Sequence, residues 1–201
     1  MIARRLDSAI PAGYDASARE AELTLDAAAF RPHARDAANT TLIAALAIAA
    51  IAAATLAGAW FFQLVLDIRP CPLCLEQRYA YYLAVPLGLL VAFAATRDVP
   101  RGVLVGGLAV LGAAALGNAW LGAYHAGVEW QFWQGPTECA GPVVDLGSAG
   151  SLLQRLDSVK VIRCDEVQWR FLGLSLAGYN VLISLLMAAI ASLGILRLQR
   201  R

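Results

Sequence analysis

The chain has 201 residues, of which 59% are hydrophobic and only 15% are charged, with a formal net charge of +1. Soluble domains are usually less apolar and more charged, so this composition predicts a membrane protein. The near-zero net charge and the scattered arginines provide no basic stripe for nucleic acid, and a nucleic-acid partner is therefore excluded.

Residues 1–39 form a polar segment with Pro11, Gly13 and Pro32, which we expect to interrupt any long helix. We predict a solvated cytoplasmic tail, with a short amphipathic helix over residues 16–30 as the alternative. A positively charged start followed directly by an apolar core is missing. We therefore expect no signal peptide, and the first membrane helix would serve as its own insertion signal.

Four uncharged apolar runs follow, each long enough to cross a hydrocarbon layer of roughly 30 Å at 1.5 Å per residue. They cover residues 40–66, 79–96, 102–123 and 171–196, within one membrane domain of residues 40–201. The sequence therefore predicts an all-α membrane protein, a bundle of four transmembrane helices. Its two external loops would cover residues 67–78 and 124–170.

The distribution of arginines predicts the orientation of this bundle. Cytoplasmic flanks should carry the excess of basic residues. An even number of spans puts both termini on the same side, and that side carries the larger set: Arg31, Arg35, Arg97, Arg101, Arg197, Arg200 and Arg201, against Arg69, Arg78, Arg163 and Arg170 opposite. We predict cytoplasmic termini and external loops in a compartment where disulfides persist, which places all four cysteines there.

A C-x-x-C pair, Cys71 and Cys74, lies before the second span, with Pro72 between the two thiols. Such a spacing lets the sulfur atoms form and open a small ring, and the proline restricts its backbone, which favours exchange over a permanent disulfide. If a helix begins near Cys74, Arg78 lies one turn later on the same face. The arginine and the helix N-terminus would then favour the Cys74 thiolate, although snorkelling to lipid headgroups is another role for Arg78.

The other two cysteines, Cys139 and Cys164, are separated by twenty-four residues within the long loop. This spacing suits a loop disulfide better than a zinc site, whose ligands usually come in two closely spaced pairs, so no metal is predicted. In the same loop, Leu152, Leu156 and Val159 follow a helical period that predicts a short amphipathic helix, either in the membrane interface or packed on its own loop.

His125, at the outer end of the third span, is either an interfacial hydrogen-bonding residue or a proton donor to a bound quinone.

Several separate stretches between Gly58 and the end of the fourth span resemble the disulfide-bond formation protein B (DsbB) family. They are Ala59-Trp60-Phe61-Phe62-Gln63, Pro70-Cys71-Pro72-Leu73-Cys74 with Glu76 and Arg78, Tyr124-His125, and Cys164 with Gln168-Trp169-Arg170-Phe171-Leu172-Gly173. Gln77 and Tyr124 depart from the family pattern, which can have an acid at each position.

The resemblance implies a quinone-dependent thiol oxidoreductase of the bacterial inner membrane that reoxidises a periplasmic dithiol oxidase of the DsbA type. Cys139 would form the mixed disulfide with that partner, Cys164 would pair with Cys139, and Cys71 would exchange with that pair. Cys74 would face ubiquinone or menaquinone, with Arg78 stabilising its charge and His125 near the ring. We expect the quinone slot among the outer ends of the first three spans, and Cys71–Cys74 and Cys139–Cys164 as resting disulfides.

Two other interpretations stay open. A membrane adaptor without enzymatic activity would use the same four cysteines only to staple its external loops. A quinone-linked oxidase with a dedicated partner would share every residue named above. Pro72 and Arg78 favour an enzyme over the adaptor.

Overall fold

The computed structural model describes residues 16–97, 99–136 and 163–200, and their side chains from residue 38 onward. These residues form four α-helices and one β-hairpin. The elements are α1 (Ala16–Leu64), α2 (Pro72–Ala95), α3 (Arg101–Glu129), β1 (Arg170–Phe171), β2 (Leu174–Ser175) and α4 (Leu176–Gln199). Each helix contains a segment long and apolar enough to cross a membrane. The predicted all-α membrane fold with four spanning helices is confirmed.

Helix α1 continues without a break through Pro32 and past Asn39. The expectation that Pro32 would interrupt a long helix was therefore wrong. The φ angle of proline is itself helical, so one proline removes a hydrogen bond without forcing the helix to end. The candidate membrane span within α1 is Ala38–Leu64, and the cytoplasmic position of residues 1–39 stays a prediction.

The other helix boundaries differ from the predicted spans in ways that matter for the site. Helix α2 begins at Pro72 instead of residue 79, and α3 continues to Glu129 instead of ending at residue 123. Both extensions contain polar side chains, and a span predicted from a run of apolar residues ends where the first polar side chains appear. Helix α4 begins only at Leu176, because the preceding residues form the β1–β2 hairpin. Cys139 and the predicted amphipathic helix lie outside the described residues.

Small side chains let the helices approach closely, while large apolar side chains point outward. The main core contains Ala45, Ile48, Leu108 and Ala191, whereas Leu90 and Trp120 are exposed on surfaces that would face lipid.

A buried polar network connects three helices. Tyr81 of α2 and Asn118 of α3 both hydrogen-bond to Asn180 and Ser184 of α4. Such bonds between spanning helices typically contribute about 0.6–2 kcal/mol each.

Two adjacent glycines in α3 provide a test of this packing. An added Cβ at Gly107 would lie 2.4 Å from a methyl carbon of Val91, whereas one at Gly106 would meet nothing within 4 Å. Overpacking typically costs about 1–3 kcal/mol, and alanine adds up to about 1 kcal/mol of helix propensity at either position. We therefore expect Gly107→Ala to lower the unfolding temperature in detergent relative to Gly106→Ala. Equal temperatures for the two variants would contradict the α2–α3 contact.

Candidate active site

The C-x-x-C pair lies at the N-terminus of α2, where Cys71 is the N-cap residue and Pro72 occupies the first turn. The Sγ atom of Cys71 accepts a hydrogen bond from the backbone N–H of Cys74, and proline is favoured in the first turn because its missing N–H would have no helical partner. The two Sγ atoms are 2.8 Å apart and both cysteines are free. A disulfide requires about 2.05 Å, so the structure describes the two free thiols, and a Cys71–Cys74 disulfide as the resting state stays a prediction.

His125 and Gln77 extend this pair into a buried chain of contacts. The Nε2 atom of His125 lies 3.6 Å from Cys71 Sγ, and its Nδ1 atom lies 2.9 Å from the amide nitrogen of Gln77. An amide N–H can only donate, so Nδ1 accepts and the hydrogen of a neutral ring is on Nε2, facing the sulfur atom. All three side chains are at most 5% exposed. Gln77 thus orients the histidine. In the sequence it was noted only because the family can have an acid at this position.

This environment ionises Cys71. Its pKa is lowered from 9.0 to about 5, chiefly by the hydrogen bond from the Cys74 thiol and further by the hydrogen bond from His125, which together outweigh the opposing effect of burial. Cys71 is therefore the thiolate of the reduced pair. The thiolate predicted at Cys74 stays a prediction.

Arg78 is held by the end of α1. Its guanidinium donates to Gln63 Oε1 at 2.8 Å and to the backbone oxygen of Ala59 at 3.5 Å, and it lies over the ring of Trp60 at 5.6 Å. These three partners come from the Ala59-Trp60-Phe61-Phe62-Gln63 stretch, whose contribution the sequence did not reveal. The stretch fixes the arginine one helical turn from Cys74, and both residues line the same cavity.

The cavity has a volume of about 380 Å³ and lies between α1, α2, α4 and the segments before α2 and α4. We expected the quinone slot among the outer ends of the first three spans, but none of the described residues that line this cavity belongs to α3. His125, on α3, accordingly lies outside the lining and against Cys71. The lining is mainly apolar, with Phe62, Trp169, Phe171, Leu176 and Ile183, and its polar groups include Cys74, Gln77, Arg78, Tyr81 and Asn180.

One wall of the cavity is built by the β1–β2 hairpin. Its two-residue turn has positive φ angles at Leu172 (47°) and Gly173 (83°), a conformation that glycine adopts without strain. The hairpin brings Phe171 against Trp169, whose ring centroid lies 5.9 Å from that of Phe171 and 5.0 Å from that of Phe62. The Trp169-to-Gly173 stretch therefore closes the cavity with aromatic rings.

Cys164 joins the cluster of the first pair although it belongs to the long loop. It is almost fully buried and packs with Cys71, Leu73 and Val128. Cys164 is disulfide-bonded. Because Cys139 lies outside the described residues, the pairing of Cys164 with Cys139 stays a prediction.

The family model and the similar proteins that match this chain all have the same family name. A family model described as "Disulfide bond formation protein DsbB" matches residues 41–194. Three similar relatives are each named "Disulfide bond formation protein B". The Azoarcus sp. protein is 32% identical over 68% of this chain and 81% of its own length, and the Methylococcus capsulatus protein is 34% identical over 70% and 85%. The Polaromonas sp. protein is 28% identical over 83% and 96%. No solved structure gives a significant match.

The lowered pKa of Cys71 predicts a distinctive pH profile in the reduced protein. An ordinary thiol alkylates about tenfold faster per pH unit below its pKa, whereas Cys71 should react at a nearly constant rate between about pH 6 and 8. In His125→Ala the pKa of Cys71 should rise, so its rate at pH 6 should fall and regain a slope. Tyr124→Phe is the matched control. Mass spectrometry of the Cys71 peptide gives the rates, and a steep profile in the parent protein would contradict the assignment.

Proposed function

The chain belongs to the DsbB family of disulfide bond formation proteins, and we propose that it reoxidises a DsbA-type dithiol oxidase and passes the electrons to a membrane quinone. It is a multi-pass membrane protein, and its family implies disulfide oxidoreductase activity. The observation that carries the quinone proposal is the position of Cys74, a redox-active thiol that lines an apolar cavity with Arg78.

We place the protein in the bacterial inner membrane with both termini in the cytoplasm and both loops in the periplasm. The excess of arginines at the cytoplasmic flanks supports this orientation. A disulfide at Cys164 supports it too, because disulfides persist in the periplasm and are reduced in the cytoplasm.

Electrons would enter at the long loop. A thiolate of the reduced partner attacks Cys139, Cys164 leaves as a thiol, and the second partner thiol resolves the mixed disulfide to release oxidised partner. The Cys139 and Cys164 thiols then reduce a Cys71–Cys74 disulfide by two further exchanges, in which Cys164 bonds transiently to Cys71. The common cluster of Cys71 and Cys164 supports this order, and so does the stability of Cys71 as a leaving thiolate.

The cavity fits a quinone headgroup in size and chemistry. Its volume of about 380 Å³ lies within the range of about 300–1,000 Å³ usual for small-molecule sites, and its walls are apolar with few polar groups. A bound quinone accepts two electrons and two protons. Trp169 and Phe62 would contact the flat ring, and Arg78, with its guanidinium fixed by α1, would donate a hydrogen bond to a ring oxygen and stabilise negative charge at Cys74. His125 would act at Cys71, where its Nε2–H faces the sulfur atom.

Turnover tests the proposal directly. Purified protein in detergent is mixed with a reduced DsbA-type partner and either ubiquinone or menaquinone, and the loss of quinone absorbance is followed. We expect turnover with at least one quinone and none with Cys74→Ser, because Cys74 is the thiol that lines the cavity. Ser192→Ala is the control, because the Ser192 hydroxyl donates only to the backbone oxygen of Ala188 within α4 and does not line the cavity. A folded parent protein that turns over neither quinone would contradict the general oxidase function and favour a dedicated partner.

The role of Arg78 is separable from that of the sulfur atoms. A hydrogen bond to a charged group typically contributes about 1.5–3 kcal/mol, so Arg78→Leu should raise the KM for quinone by roughly 10- to 100-fold. Arg97→Leu, at the opposite end of α2 and over the ring of Phe93, should leave this KM unchanged. The rate at which the partner reduces the proposed Cys139–Cys164 disulfide should be the same in both variants, because Arg78 lies at Cys74 and not at that pair. A loss there instead would assign Arg78 to the first exchange.

A further inference from the structure

The reduced site brings together three side chains that are common metal ligands. The Sγ atoms of Cys71 and Cys74 and a ring nitrogen of His125 all lie within 4.8 Å of one another, and the groups are buried or half-buried. We propose that the reduced protein binds a zinc ion through these three side chains, so that zinc binding and the Cys71–Cys74 disulfide are mutually exclusive. This set differs from a four-cysteine site, which the spacing of Cys139 and Cys164 disfavours.

The distances suit tetrahedral zinc. Bonds of about 2.3 Å to sulfur and 2.0–2.1 Å to nitrogen place neighbouring ligand atoms roughly 3.4–3.8 Å apart. The separation of Cys71 Sγ and His125 Nε2 is already 3.6 Å. The two sulfur atoms, at 2.8 Å, must separate by about 1 Å. A small rotation of the Cys74 side chain, which borders the cavity, provides this movement.

Gln77 can support the histidine in both states. A histidine that binds zinc through Nε2 carries its hydrogen on Nδ1, and this hydrogen needs an acceptor. Gln77 now presents its amide nitrogen to Nδ1 at 2.9 Å, and turning the amide over presents its oxygen at the same place. A glutamate there would only accept, so glutamine suits the exchange between the two ring forms.

Charge balance and access also favour the ion. Two thiolates neutralise Zn²⁺, which lowers the cost of burying it. Because Cys71 is already a thiolate in the reduced pair, binding releases one thiol proton, that of Cys74. Glu129, one turn beyond His125, interacts electrostatically with His125 and Cys74. Its buried Oε2 atom has no hydrogen-bond partner among the described residues, although Glu129 is not part of the group of ligand atoms that lie within 4.8 Å of one another. The ion would enter through the cavity that Cys74 lines.

The chemical consequence is a reversible block. While zinc holds both sulfur atoms as thiolates, neither can form the disulfide. Oxidation of the pair by the quinone of the proposed function transfers two electrons to that quinone, joins the sulfur atoms and releases the ion. Zinc binding itself needs neither the partner nor a quinone, so it can be measured separately from the proposed function.

The test uses the full chain in detergent with Cys139→Ser and Cys164→Ser, which leaves Cys71 and Cys74 as its two cysteines. Cadmium serves as the probe, because its thiolate complexes absorb in the ultraviolet by charge transfer. We expect saturation at one Cd²⁺ per reduced chain, displacement by Zn²⁺ and no signal after oxidation. His125→Ala should weaken binding by more than about tenfold, whereas Tyr124→Phe should not.

A second measurement covers the case in which His125→Ala does not fold. X-ray absorption at the zinc edge, with His125 intact, should show two sulfur neighbours and at least one imidazole nitrogen. The proposal is overturned by the absence of saturable binding, by equal affinity in a folded His125→Ala variant, or by a spectrum without imidazole. These outcomes do not bear on the proposed quinone reduction, which is measured separately with the parent protein and without added metal.

Discussion

A buried thiolate at the edge of a membrane must be compensated by nearby donors, and this constraint organises the end of the helix bundle that contains Cys71. Cys71 obtains that compensation from the Cys74 thiol and from the His125 ring, which Gln77 holds in place. Helix α2 has to start at Pro72 to put Cys71 at its N-cap, and α3 has to continue past the apolar run to bring His125 to the sulfur atom. The helix lengths thus follow the chemistry of the site as much as the thickness of the bilayer.

Helix α2 lies between two different environments. On one side, Cys71, His125 and Cys164 form a closely packed sulfur cluster. On the other side, Arg78 and the aromatic rings line a cavity with an apolar interior. Cys74 belongs to both, since it contacts Cys71 and borders the cavity. Beneath the cavity, the hydrogen bonds of Tyr81 and Asn180 join α2 to α4 and give it a fixed floor.

The parts of this arrangement that depend on local pattern were predictable, and those that depend on contacts between helices were not. Apolar runs revealed four spans, and the spacing of Cys71 and Cys74 revealed exchange chemistry. The partners of Arg78 on α1 were not predictable, because Gln63 and Trp60 look like ordinary interfacial residues until the two helices are packed together. Gln77 was missed for the same reason. The quinone slot was expected among the first three spans, whereas the cavity is lined by α1, α2 and α4. The sequence does not show that the hairpin brings Trp169 against Phe62 of α1.

The short connection between Cys164 and Trp169 limits how far the sulfur atom of Cys164 can move. Trp169 is fixed in the cavity wall, and the chain from residue 164 to residue 169 can extend no more than about 18 Å, at up to 3.6 Å per residue. Whatever sulfur atom Cys164 is bonded to, it therefore stays within a small volume around Cys71. Confinement of this kind corresponds to an effective concentration in the millimolar range for short flexible tethers. The proposed exchange between the two loops would thus be an intramolecular reaction, with which free thiols at lower concentration in the surrounding solution would compete poorly.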